Sequence, residues 1–535
     1  MTHPELFAAM SRPQFYPRPP ERVDVVQTHI SFIFIVADEV YKVKKAVDFG
    51  FLDFTSLEKR KFYCEEEVRL NRRLAPEAYL GVEPITEDAV GRLALGGKGR
   101  IVEYAVRMKK LPQERMLGRL LAEGKCDPSV IDAVAARLAD FHRRAETGGR
   151  IDAMGGVETI RLNHEENFTQ TAAYVGITIP RGRYNFIRAY DRDFLKRQEP
   201  LFRRRVAEHR IRDGHGDLHL EHICVDNGIT IFDCIEFNER FRFGDVAAEV
   251  AFLAMDLDYN GYGTWAETFV EAYIRHAGDP DIRLLLNFYR CYYAYVRGKV
   301  VGFRINDPAI DDRQRAEARS TAARYFDWAT TYAARPVRPV LVLMAGLMGT
   351  GKSVLARNLA PRLGAEVIRT DVIRKELFAG HSQERHTEAF GGGIYSDDLT
   401  RRTYEKALEL ATELLKQERS AIIDASYKRR AERLRAAEAA ERLNAGFYLV
   451  ECVAPEGIVK ERLDARQAAG KDPSDGRWEL YTAQKADFDP VTEFPAAAHT
   501  AVNTARDPEE CLEDALWKIK GFFSPEERLA DQGAG

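Results

Sequence analysis

Eight consecutive residues, Gly346, Leu347, Met348, Gly349, Thr350, Gly351, Lys352 and Ser353, constrain this chain more than any other stretch. They follow an apolar run from Val340 to Ala345 and open a helical segment from Val354 to Leu363, so a GxxxxGKS pattern stands between a strand and a helix. Glycines let backbone N–H groups turn inward around phosphate oxygens, Lys352 supplies a point charge to the β and γ phosphates, and the Ser353 hydroxyl suits Mg²⁺. The pattern therefore calls for ATP with Mg²⁺. Strands expected at 340–345, 366–369, 420–424 and 447–452 alternate with helical segments. That alternation predicts βαβ units and a three-layer α/β domain with a parallel sheet over residues 338–525.

After the second of these strands, Asp371 stands at the strand end and Arg374 one helical turn later, on the same face. This resembles the small AAA-type P-loop kinases that phosphorylate hydroxyls, including the polynucleotide 5'-kinase and zeta-toxin-like group. The resemblance implies Asp371 as the base that accepts the acceptor's proton and Arg374 as the clamp on the acceptor side. Asp424 closes the strand of residues 420–424, where a carboxylate supports the Mg²⁺ shell. Arg462 and Arg466 lie four apart on the helix expected from Glu456, ahead of a Gly- and Pro-containing stretch at 470–476. In related kinases this region is a lid, which implies Arg466, and after it Arg462, as neutralising charges on the transferring phosphoryl group. A GTPase reading lacks an NKxD-type base-recognition motif.

The first part of the chain reads differently. Runs at 31–36 and 40–45 form a hairpin, a helix follows from about Ser56 to Leu74, and further strands are expected near 82–85, 92–95 and 101–108. Beyond Gln113 the text is mainly helical, with a β-rich interruption from His222 to Phe237. Just before it stands His215, Gly216, Asp217. This resembles the HGD motif of aminoglycoside phosphotransferase-type kinases, relatives of protein kinases with a small β lobe and a helical lobe, and predicts a bilobal domain over residues 24–330. By that resemblance Asp217 takes the substrate proton, Glu236 is the metal-binding acid with Asp233 as its competitor, and Lys44 grips phosphates while pairing Glu67, with Lys42 the alternative. Asp245 and Glu249 resemble the element that braces the catalytic loop. Two departures stand out: His222 occupies the family's metal-binding Asn position, and the first hairpin lacks a GxGxxG loop. His215, His219 and His222, at spacings of four and three, suit a metal on one helix face, but Gly216 and the following strand argue against a helix there.

A chain of 535 residues has room for two such domains, and Pro336 and Pro339 break the text between them. The net charge of -4 excludes bulk basicity as a reason to bind nucleic acid. Seven cysteines without a CxxC pair read as reduced thiols of a cytoplasmic protein, and no apolar stretch is long enough for a membrane span. The combined expectation is an ATP- and Mg²⁺-dependent phosphotransferase acting on a hydroxyl. The acceptor is a small or phosphorylated molecule, with a polynucleotide end less favoured. The first domain is a second small-molecule kinase or a substrate-recognition module. The contrasting expectation is an ATP-gated regulatory protein whose first domain is catalytically dead.

Overall fold

A computed structural model describes residues 4–307, 310–378, 397–469 and 477–520. The chain falls into two compact units, residues 1–169 with 194–296, and residues 170–193 with 297–535. No described helix is long and apolar enough to cross a membrane.

In the first unit, six strands form one antiparallel sheet: β1 (Val23–Gln27), β2 (Ser31–Val36), β3 (Glu39–Lys44), β4 (Tyr79–Glu87), β5 (Leu93–Leu95) and β6 (Arg100–Lys109), in the order β1-β2-β3-β6-β4-β5. β1, absent from the sequence expectation, pairs with β2 at the sheet edge. Val36 pairs Glu39, so the β2–β3 connection is the two residues Ala37 and Asp38, and Ala37 takes a positive φ of 52°. Phe34, Val36, Tyr41, Val43, Ile85 and Ala105 meet on one face of this sheet, as period-two patterning requires. The helix Leu57–Asn71 starts at Ser56, whose hydroxyl accepts from the Lys59 N–H at 3.2 Å. The helical lobe carries two short ribbons, β7 (Ile211–Asp213) with β10 (Phe243–Asp245), and β8 (Ile223–Val225) with β9 (Ile229–Ile231). They flank the HGD segment.

In the second unit, β11 (Val340–Ala345), β12 (Ala365–Arg369), β13 (Ser420–Asp424), β14 (Gly446–Val453) and β15 (His499–Asn503) form a parallel sheet of order β12-β13-β11-β14-β15. Every residue of β11 and β13 is buried, as expected of central parallel strands covered on both faces. The mixed α/β character and the parallel sheet agree with the sequence expectation. β15 is an addition to it. The helix Asp312–Ala334 belongs with this unit although it precedes the proline break near 336. Arg362 donates to the Asp327 carbonyl at 3.0 Å and the Thr331 hydroxyl at 2.8 Å, and Lys520 donates to the Arg335 carbonyl at 2.7 Å. Prolines end the helix there without ending the compact unit.

Candidate functional sites

In the second unit, register brings the loop and its acids to one edge. Met344 and Arg369 both stand opposite Asp424, so β11, β12 and β13 end level, and the segments that leave them emerge side by side. Gly346 adopts φ 127°, and a side chain there would meet the Cys452 carbonyl 2.4 Å away, so glycine is the residue that fits. Lys352 and Ser353 open the helix Lys352–Leu363. The Lys352 ammonium donates to the Leu347 carbonyl across the loop at 2.7 Å, and burial lowers its pKa against the pull of Asp424 and Asp371. Asp371 lies in the first turn of the helix Thr370–Phe378. Burial, and then the charge of Asp424, raise its pKa above the usual carboxylate range, while Arg374, Lys352 and Arg369 oppose the rise. Arg374 is buried and donates to the Thr400 hydroxyl at 3.1 Å. Arg466 lies within electrostatic reach of Lys352. Arg462 is bound to Thr504, by 3.2 Å to its hydroxyl and 2.6 Å to its carbonyl. The expected lid at 470–476 lies outside the described residues.

Two partners of this loop and one of Asp424 escaped the sequence reading. The Thr504 hydroxyl donates to the Thr350 carbonyl at 2.8 Å, the Gln484 carbonyl oxygen accepts from the Met348 N–H at 2.7 Å, and Arg369 stands 3.8 Å from Asp424. Ser353, Asp371 and Asp424 offer oxygen donors, the set that suits Mg²⁺, and the two neighbouring carboxylates are a place where a divalent cation relieves repulsion.

In the first unit, β3 and the helix Leu57–Asn71 bring Lys44 and Glu67 together at 2.6 Å, both fully buried. Lys44 also pairs Glu236, and Lys42 bridges Glu67 at 2.9 Å and Asp233 at 2.7 Å. The anionic neighbours raise the pKa of both lysines although burial works the other way. Glu236 is pushed up by burial and by Glu67, with which it shares Lys44. Asp233 has a left-handed backbone, φ 62°, and Lys42 holds its carboxyl below the usual range despite burial.

The HGD loop is fastened from below. Glu249 Oε1 accepts from the N–H groups of His215 and Gly216, the latter at 2.6 Å, and its Oε2 pairs His142 at 2.8 Å. Gly216 has φ 86°, and a side chain there would lie 2.9 Å from the Phe241 carbonyl. His215 is fully buried, bonded through Nε2 to the Phe232 carbonyl at 2.9 Å, while its Nδ1 accepts from the Asp217 N–H at 3.3 Å. That is the neutral Nε2–H tautomer, and burial lowers the pKa of His215 to about 4. Asp217 is half-buried, with His219 Nε2 3.6 Å and His222 Nδ1 3.7 Å from its Oδ2. The two imidazole rings are 3.9 Å apart. Donor atoms of Asp217, His219 and His222 all lie within 4.8 Å of one another, and His222 Nε2 is 3.5 Å from Asp233 Oδ2. His215 is not in this group; Asp217 is. Glu236 is turned to Lys44, and Asp233 is the carboxylate beside His222.

The family described as AAA domain matches residues 341–491. Over most of its length the chain is similar to the uncharacterized protein Rv2004c of Mycobacterium tuberculosis, at 30% identity over 469 residues that span 87% of this chain and 91% of that protein. The uncharacterized protein Mb2027c of Mycobacterium bovis matches to the same extent. Among solved structures, a gluconokinase from Sinorhizobium meliloti 1021 is 20% identical with a TM-score of 0.26, covering 36% of this chain and 97% of its own. A choline/ethanolamine kinase family protein from Mesorhizobium loti is 12% identical with a TM-score of 0.34, covering 62% of this chain and 99% of its own. At these scores neither likeness bears on what this chain binds or converts.

Proposed function

Because this chain belongs to the family of the uncharacterized mycobacterial protein Rv2004c, we propose its function from its own sites: the second unit transfers the γ-phosphoryl group of ATP to a hydroxyl of a small or phosphorylated acceptor. The observation that carries this reading is the convergence of a glycine-rich phosphate loop, Lys352, Asp371 and Asp424 at one edge of a parallel sheet. On ATP binding, Lys352 exchanges the Leu347 carbonyl for phosphate oxygens, so its charge moves from an internal partner to the donor. Asp371 accepts the acceptor's proton as the new P–O bond forms and the bond to ADP breaks, a role that its raised pKa favours. Arg374 holds the acceptor side, and Arg466 offsets charge on the transferring group. Ser353 and Asp424 would hold Mg²⁺, which would supply charge neutralisation on the phosphates.

For the first unit the reading is a second small-molecule kinase or a substrate-recognition module, with Asp217 as its base and Lys44 and Glu67 as its phosphate grip. A specific observation favours the alternative of a catalytically silent, ATP-gated regulatory unit. Lys44 is held by Glu236 as well as by Glu67, and Lys42 by Glu67 and Asp233, so both ammonium groups are committed to carboxylates.

Tracing γ-phosphate across a hydroxyl-acceptor panel tests both units. Lys352→Ala is expected to abolish one phosphorylated product, and Asp217→Ala a different one if the first unit is a kinase. Product formation that survives Lys352→Ala and Asp371→Asn would remove the assignment to the second unit. Indifference of every product to Asp217→Ala would favour the regulatory reading.

A further inference from the structure

The chemistry at Asp217 departs from what a Mg²⁺-dependent kinase site needs. Mg²⁺ takes oxygen donors in a near-octahedral shell, and here the nearest groups include two imidazoles, one of them in the position where the resemblance expects an Asn oxygen. The residues of the first unit therefore do not fit Mg²⁺.

They fit another class of ion. An ion of zinc size with bonds of about 2.1 Å spaces tetrahedral donors roughly 3.4 Å apart. His219 Nε2 lies 3.6 Å from Asp217 Oδ2. One donor atom from each of Asp217, His219 and His222 falls within 4.8 Å of the others. The tautomer of His222 follows from its hydrogen bond. Nδ1 lies 2.8 Å from the Asp217 backbone carbonyl, which only accepts, so in the neutral ring Nδ1 carries the proton and Nε2 keeps its lone pair. That lone pair is the one His222 can offer to an ion. A ring N–H on a backbone carbonyl with the other nitrogen on the metal is the usual arrangement of a ligating histidine.

We propose that Asp217, His219 and His222 form a site for a borderline divalent transition-metal ion, zinc being the reference, in place of the Mg²⁺ that the kinase resemblance implies. This inference is independent of the activity assigned to the second unit and, because it makes Asp217 a metal ligand and not a base, rests on the catalytically silent reading of the first unit.

The test is metal binding by the full-length, EDTA-dialysed protein without nucleotide, using Zn²⁺, Co²⁺ and Mg²⁺ as probes. The expected result is one tightly retained equivalent of zinc by elemental analysis that excess Mg²⁺ does not displace. Co²⁺ is expected to give d–d absorption bands without the intense thiolate charge-transfer band that cysteine ligation produces. His219→Ala and His222→Ala should each weaken zinc binding at least tenfold, and Asp424→Asn should leave that equivalent in place. His222→Asn, a conservative change with circular dichroism as the check on folding, should shift preference toward Mg²⁺. Wild-type protein that retains no zinc and gives no Co²⁺ bands would overturn the proposal without recourse to any variant. So would zinc retention unchanged in both alanine variants, or a cobalt spectrum dominated by thiolate bands.

Discussion

At the scale of single residues, Asp371 couples its environment to a pH dependence. A base works deprotonated, and burial beside Asp424 raises its pKa, so activity of the second unit should fall on acidification at a higher pH than an ordinary aspartate allows. A pH–rate profile checks this, and Asp371→Asn should flatten the acid limb along with the rate. Glu513 gives a stability effect of known sign. Burial and the charge of Glu509 raise its pKa to about 7, so the folded state holds a proton that the unfolded chain has lost between the usual carboxylate pKa and 7. Stability is then full below that window and declines as pH rises through it. Glu513→Gln should stabilise the protein by about 1 kcal/mol at pH 8, after allowance for partial solvent exposure, and by nearly nothing at pH 4, as thermal melts at the two pH values would register. Arg205 is a contrasting case. It is fully buried and grips Asp245 at 2.5 and 2.7 Å and Asp279 at 3.0 Å, so Arg205→Ala strands two buried carboxylates and should cost about 3–5 kcal/mol in denaturant unfolding.

At the scale of elements, the motifs that lie within a few residues of one another were readable, because strand, loop and helix follow in order from Val340 to Leu363. Partners delivered by the sheet were not. Thr504 follows β15, whose sequence HTAVN has no apolar alternation strong enough to announce a strand, and it reaches Thr350 only because β15 extends the sheet beyond β14. Gln484 is likewise near the loop in space and not in sequence. In the first unit, spacing alone left Asp233 and Glu236 as rivals. The left-handed backbone at Asp233 and the short β8–β9 ribbon decide which carboxylate meets His222, and neither is visible as a pattern of residue types. The fastening of the phosphate loop by Thr504 carries its own expectation. Thr504→Val removes the hydroxyl that bridges the Thr350 carbonyl and the Arg462 guanidinium, and should raise the KM for ATP several-fold with a smaller effect on kcat. Equal loss in both constants would point to general destabilisation instead.

At the scale of the whole molecule, two fold types were legible from two motifs, while the partition of the chain between compact units was not. Prolines at 336 and 339 mark the end of a helix, and end-of-helix signals say nothing about which core a helix joins. The second unit recruits residues 170–193 as well as 297–334: Arg183 pairs Asp327 at 2.8 Å and Glu509 at 2.5 Å, and Phe186 packs edge-on against Trp517 at 5.5 Å between ring centroids. A fragment that begins at residue 338 lacks these partners and should be markedly less soluble and less stable than the full chain, as expression and melting of the two would reveal. The chain passes from one unit to the other three times, at 169/170, 193/194 and 296/297. A single cut engineered after Ile310 thus divides the covalent chain within the second unit, whose pieces stay joined by contacts such as Arg183 with Asp327 and Phe186 with Trp517. Nicked protein should migrate as one species under native conditions and as two in denaturant, and the two halves produced separately should find one another again, which makes this protein a candidate for fragment complementation.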